Sequence, residues 1–360
     1  MYRPLGCTVS GARPSLNSGL LAVIALAACL PFVMPNIAAA AAGDDLYTHP
    51  GRLVDAGDGA RLNLYCMGHG APAVVFDSGF EDWAPAWAVV QPRISKWTTA
   101  CSYDRAGSGF SEAGPMPRTS MRIADELHTA LRNAGVAGPY ILVGSAFGGD
   151  NVRAFADLHV TDVAGLVLVD ADASDLEPKA LQEQDHRKNA AGVARLRECR
   201  DAIAQGKPLP MLPPRPGKPP RTCAQTFYRG LPEDEWSPGL NAKLLEIAQT
   251  RVAMYDADIS EMEQMAPDED WLQQHRVSLG ARPVRVLTSG NHAVGHLPAT
   301  PNTDPEHVEF ERQVTAAQAR WLELSSNARQ IFARHSSEYI QFDEPDTVVD
   351  AIREVYDQGR

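Results

Sequence analysis

Residues 144–149 read Gly144-Ser145-Ala146-Phe147-Gly148-Gly149, directly after the apolar run Tyr140-Ile141-Leu142-Val143 and directly before a segment of helical character. A small residue two before and two after a central position lets a strand turn sharply into a helix and push the central side chain out at the apex. When that apex carries a hydroxyl or a thiol, it becomes a nucleophile. Here the spacing of Gly144 and Gly148 puts residue 146 at the apex, and residue 146 is alanine. An alternative register centred on Ser145 would be flanked by Val143 and Phe147, which suit the tight turn less well than glycine does.

Around this turn, strand-like and helix-like segments alternate. After a hairpin over 52–66 come apolar runs at Ala73–Phe76, Thr98–Tyr103, Tyr140–Val143, Gly165–Val169, Val284–Leu287 and Gln330–Ala333. Between them, Ala124, Leu127, Leu131 and Ala134 recur at helical spacing, as do Val348, Ile352 and Val355 after Pro345. Such alternation predicts an α/β fold, a mostly parallel twisted sheet with helices on both faces. Residues 173–281 break the rhythm. They contain seven prolines between 208 and 220, and then a run (Leu240, Leu244, Ile247, Val252, Tyr255, Ile259, Met262) that is helical and amphipathic in pattern. This predicts a helical cap insertion at 173–281 between a first core part at 43–172 and a second at 282–360. Met254, Tyr255, Met262, Met265 and Trp271 are expected to serve its core.

The first 42 residues carry only Arg3 and Arg13 as charges, then an apolar run from Leu20 to Met34 and the small-residue tract Ala38–Ala42. That is the pattern of an export signal over 1–42, cleaved after Ala42, and it predicts a periplasmic or extracellular protein with no membrane span once cleaved. The segment Leu26-Ala27-Ala28-Cys29 offers a second reading, a lipid anchor at Cys29. Cleavage after Ala42 leaves Cys66, Cys101, Cys199 and Cys223, an even number that suggests two disulfides in an oxidising compartment. A balance of 33 Lys+Arg against 45 Asp+Glu, with net charge −12, argues against nucleic acid as a partner.

Several segments, in order, resemble the α/β-hydrolase superfamily, and most of all its secreted bacterial esterase and aminopeptidase-like branch with a cap domain. Ser78-Gly79-Phe80 resembles the oxyanion-hole loop, Tyr103–Ser111 the D-R-x-G-x-G-x-S turn, 142–149 the nucleophile elbow, Gly165–Asp170 the sixth strand, and Tyr339-Ile340-Gln341 with Pro345 the entry to the last helix. The resemblance makes the strands holding Cys66 and Cys101 neighbours, which pairs 66 with 101 and leaves 199 with 223. It also implies a catalytic triad in the order nucleophile, acid, histidine. The nucleophile slot holds Ala146 and the histidine slot holds Glu338. The acid slot in Thr288–His292 offers no carboxylate, and Asp170 is an alternative acid position. Asp104, Arg105 and Ser111 read as braces of their own turn, and His335 as an exposed strand end.

Without serine or histidine, turnover by such a triad falls on the order of 10⁶-fold, yet an oxyanion hole made by the backbone N–H groups of Phe80 and Phe147 does not depend on side chains. Three functions follow as expectations. The first is a non-catalytic or weakly active homologue that binds a small apolar or ester-like ligand. The second is an active ester or amide hydrolase with a non-standard site, either Ser145 or a His292/Glu338 pair with exchanged places, to which His296 could add a metal ligand. The third is a partner-binding scaffold. No cofactor or resident metal is implied.

Overall fold

The computed structural model describes residues 44–212, 220–227, 236–291 and 303–359. Residues 1–42, His292 and His296 therefore lie outside the described residues. Eight strands form one sheet: β1 (Arg52–Gly57), β2 (Ala60–Met67), β3 (Ala73–Asp77), β4 (Ala100–Asp104), β5 (Tyr140–Ser145), β6 (Val163–Val169), β7 (Val284–Ser289) and β8 (Ala328–Ala333). Their spatial order is β1-β2-β4-β3-β5-β6-β7-β8. β1 and β2 pair antiparallel, as do β2 and β4; every other neighbour is parallel.

Both faces of the central strands are buried, so side chains alternate between two cores rather than between core and water. Leu142, Leu166 and Leu168 join one cluster, which takes Ala124, Leu127 and Leu131 from α1 (Ser120–Ala134) and Val152 and Phe155 from α2 (Gly148–Leu158). Val143, Val167 and Val169 join the other. Thr119 caps α1 by accepting the Arg122 N–H, and Gly135, at φ +77°, ends it.

Between β6 and β7 the chain forms α3 (Lys179–Ala204), α4 (Pro238–Thr250) and α5 (Val252–Gln274). The apolar run from Leu240 to Met262 is two helices rather than one, because Arg251 is extended at φ −100°, ψ 98°. Arg251 spends its guanidinium on the carbonyls of Gly109 and Ser111, and that anchor fixes the break. These helices share an apolar cluster with Tyr47, Tyr65 and Trp83, in which Leu196, Leu240, Leu244, Met254 and Tyr255 accompany the Cys199–Cys223 disulfide. Met254 and Tyr255 are fully buried as expected, whereas Met262, Met265 and Trp271 are only partly so. After β7 come α6 (Pro305–Ala319) and, following β8, α7 (Pro345–Gln358), whose Val348, Ile352 and Val355 complete the second core.

α5 is fastened to the sheet domain at several points. Ser260 Oγ accepts the Arg118 N–H at 2.9 Å, and Asp268 Oδ2 accepts the Ser120 N–H at 2.7 Å. The second disulfide joins Cys66 to Cys101, which lie directly opposite each other in the β2–β4 ladder. Among the described residues no helix is long and apolar enough to cross a membrane.

The Cys199–Cys223 bridge spans 24 residues of sequence. Replacing both cysteines by alanine should lower the free energy of unfolding by about 3 kcal/mol through the added freedom of the unfolded chain. A urea titration that shows no change would mean the bridge contributes nothing to stability.

Candidate functional site

β5 ends at Ser145 and α2 begins at Gly148, so the turn between them takes only two residues. Ala146 sits at its apex with φ +46°, a left-handed conformation that an L-residue adopts only at a cost. The close packing explains the glycines. A Cβ on Gly144 would lie 2.3 Å from the Gly148 carbonyl oxygen, and one on Gly148 would lie 2.5 Å from the Asp77 carbonyl oxygen. The turn is closed by the Gly149 N–H donating to Ala146 O at 2.8 Å and the Asp150 N–H donating to Phe147 O at 3.0 Å. Neither bond uses the Phe147 amide. Ser145 is the last residue of β5, paired with Val169 and buried.

The strand ends beside this turn are tied to one another in sequence. Ala146 N–H donates to Val169 O, and Asp172 N–H donates back to Ala146 O at 3.1 Å. Asp170, at φ +41°, takes the Ser289 N–H and hydroxyl at 3.1 and 2.8 Å and the Gln318 side-chain amide at 3.1 Å. Gly290 N–H donates to Ser336 O, joining the loop after β7 to the loop after β8. The loop after β8 carries the half-buried Glu338, two residues on. Ala146 and Asp170 are thus close neighbours, and Glu338 is on a loop tied to the same edge. His335 is an exposed turn residue whose N–H donates to Glu344.

The loop Ser78-Gly79-Phe80 leaves β3 and packs on the turn. Phe80 and Phe147 stack, with ring centroids 4.0 Å apart, and the Arg105 guanidinium lies 5.4 Å from the Phe147 centroid. A Cβ on Gly79 would sit 3.3 Å from the Ala146 Cβ. The two residues expected to supply an oxyanion hole are therefore in contact.

Arg105 holds this loop in place. Its Nε–H and one Nη2–H go to the two Glu261 oxygens at 3.0 and 3.2 Å. The remaining donors go to Asp77 Oδ1 at 3.1 Å, Ser78 O at 2.7 Å and Gly79 O at 2.8 Å. All five guanidinium donors are used. Burial opposes the charge on Arg105, but Glu261 and Asp77 more than offset it and raise its pKa. Burial pushes Asp77 up to about 6, against the pull of Arg105 and the hydroxyl of Tyr103, which donates at 2.6 Å. Asp104 braces its own turn as expected, accepting from Asn63, Ala84 and Phe110, and Ser111 Oγ donates to Asp104 O. The link from Arg105 to α5 is new, since nothing in the pattern of α5 distinguishes Glu261 from its other acids.

Three further carboxylates, Asp82 beside Gly79 and Glu81 and Asp258 beside Tyr255, were not legible as site residues. A Cβ on Gly79 would also lie 3.7 Å from Asp82 Oδ2. Glu81 has φ +61°, and burial followed by the fields of Asp258 and Glu81 raises the pKa of Tyr255. Among the described residues, no group of three His, Cys, Asp or Glu side chains could hold a metal ion.

Residues 72–201 match the family model described as the alpha/beta hydrolase fold. A thermophilic esterase from Thermogutta terrifontis superposes with a TM-score of 0.53 at 20% identity, over 86% of this chain and 99% of that one. The epoxide hydrolase CorEH does so with a TM-score of 0.57 at 16% identity, over 87% and 99%. An uncharacterised Schizosaccharomyces pombe protein is 40% identical over 82 residues, which is 23% of this chain but only 15% of that protein.

Two outcomes test the electrostatics. Arg105→Met strands Asp77 and Glu261 in the interior and should cost about 3–5 kcal/mol of stability, read as a fall in the urea midpoint. The second concerns pH. Burial raises Asp77, Asp104, Asp157 and Asp268 to about 6, and raises Asp150 and Glu269 as well. Groups with raised folded-state pKa values bind protons more readily folded than unfolded, so their contribution is present in acid and fades as pH rises through 6. His159, lowered by burial and by His128, opposes this. The urea midpoint should therefore rise from pH 7.5 to pH 5.5; a fall would show that these carboxyls are not held as described.

Proposed function

We propose that this chain, whose residues 72–201 match the alpha/beta hydrolase fold, binds a small ester-like or apolar molecule at the turn after β5 and hydrolyses it feebly or not at all. The observation that carries the reading is Ala146 itself. The apex keeps its left-handed backbone and its glycine packing, yet ends in a methyl group. Acyl transfer needs a nucleophile there, a base to take its proton, and donors for the oxyanion. The slot for the base carries Glu338, an anion where an imidazole is needed. The donors alone remain, and backbone N–H groups at a helix start favour a carbonyl or carboxylate oxygen. They would retain a ligand without cleaving it.

The reading on Ser145 is weaker, because that residue ends β5 inside the ladder rather than at the strained apex. Export fits the same picture. Two disulfides suit an oxidising compartment, and residues 1–42 read as its signal.

The test is hydrolysis of short-chain p-nitrophenyl esters by the unaltered protein and by an Ala146→Ser/Glu338→His double variant. The expectation is background rates for the first and a gain of at least about 100-fold for the second, given what a triad contributes over its hole. Robust turnover by the unaltered protein would sink the proposal, and its loss in Ser145→Ala would move the nucleophile to Ser145.

A further inference from the structure

At the start of β5, the end away from the turn, the surface holds a depression of about 500 Å³. It is lined by Tyr140, by the loop 135–138 that follows α1, and by Arg132 and Asp162. β5 is six residues long, so about 17 Å of strand separates this place from the turn. The volume falls within the about 300–1,000 Å³ of small-molecule sites. The depression is open to water.

Arg132 has no structural task there. A helix leaves its last four carbonyls without internal partners, and at the end of α1 all four are already served. Val136 N–H donates to Leu131 O at 2.9 Å and Gly135 N–H to Arg132 O at 3.0 Å. The guanidinium of Arg52 reaches Ala134 O at 2.8 Å and Asn133 O at 3.5 Å. Arg52 is thus the cation that closes the helix, and among the described residues the Arg132 guanidinium makes no hydrogen bond or ion pair. Asp162, just before β6, turns Oδ2 to His128 Nε2 at 2.7 Å and is 41% exposed. Gly138 lies against it, since a Cβ there would come within 3.6 Å of the Asp162 Cβ and 3.3 Å of the Tyr140 ring. Burial raises the pKa of Tyr140, and after it Asp162 raises and Arg132 lowers it, so both charges reach the same hydroxyl. They form no ion pair with each other.

We infer that this depression binds a short zwitterionic peptide, of dipeptide size, with its carboxylate on Arg132 and its ammonium on Asp162. Opposite charges held apart on one concave surface complement a molecule that carries both signs at its two ends. A molecule charged at one end alone gains one of these contacts and leaves the other charge unmatched. The guanidinium fork suits a carboxylate, which it can hold through two parallel bonds. Between the ends, the N–H groups of Ala137 and Gly138 have no acceptor among the described residues and face a peptide carbonyl well. The open side lets the rest of the peptide backbone stay hydrated. This site shares no residue with the turn after β5, so it stands or falls apart from the ligand proposed there.

The experiment follows backbone amide resonances of the isotope-labelled chain during titration with L-alanyl-L-alanine, its N-acetyl derivative and its C-terminal amide. The zwitterion should shift the amides of Gly135, Ala137 and Gly138 saturably, with a Kd of about 1 mM. Blocking either end should weaken binding about threefold, the scale of screened surface charges. Arg132→Gln should erase the preference for the free carboxylate, and Asp162→Asn the preference for the free ammonium, with each fold checked by circular dichroism. Arg132 is exposed, so its variant decides the matter even if Asp162→Asn does not fold. Equal affinity for all three peptides, or a carboxylate preference that survives in Arg132→Gln, overturns the site. So does the absence of saturable shifts at the three loop amides, or their appearance at Phe80 and Phe147 instead.

Discussion

One guanidinium organises the region around Ala146. Arg105 leaves β4 and reaches, in a dry interior, the end of β3, the two carbonyls of the loop that follows, and Glu261 on α5. Arginine is the side chain able to do this, because its five donors lie in one rigid plane and its charge survives burial. Lysine would bring three donors and one point of charge. The arrangement is also fragile by construction. Two buried carboxylates are tolerable while the cation is present and costly once it is gone. The position of Gly79 over the turn, and so the shape of anything that binds there, is set at a distance by a contact between segments far apart in the chain.

That distance explains what could be read from the sequence. The elbow was legible because its logic is local: an apolar strand, glycines at fixed offsets around residue 146, then a helix, each readable within ten residues. The alternation of strands and helices was legible for the same reason, as was the Cys66–Cys101 pair once the strands were placed side by side. Glu261 was not. It is 156 residues from Arg105, on a helix with several other buried acids, and nothing nearby marks it as the partner of Arg105. Glu81 and Asp82 were hidden differently, as two ordinary loop acids that meet Trp236 only in the folded chain. The break at Arg251 left only a faint trace, a single step of five between Ile247 and Val252, while the guanidinium that anchors it bonds to carbonyls in another loop.

The backbone at Ala146 and the side chain there now tell separate stories. A left-handed alanine is conformationally costly, and glycine would relieve that cost. The strain persists because the surroundings leave no alternative: the Gly144 and Gly148 contacts, the bond from the Asp172 N–H and the bond to the Val169 carbonyl fix the path of the chain whatever residue 146 carries. Residue 146 can therefore change its side chain while the turn keeps its path, because that path is held by its neighbours and by its own backbone.

The fastening of α5 bears on time rather than on affinity. A helix that lifted freely would let ligands come and go on the microsecond scale of loop motions. This one cannot lift without parting Glu261 from Arg105 and uncovering the amides of Arg118 and Ser120. Openings that break buried charge pairs are rare excursions, populated by a small fraction of molecules at any instant. The helix is closer to masonry than to a hinge, keyed in by a buried charge pair and by two amides that it covers.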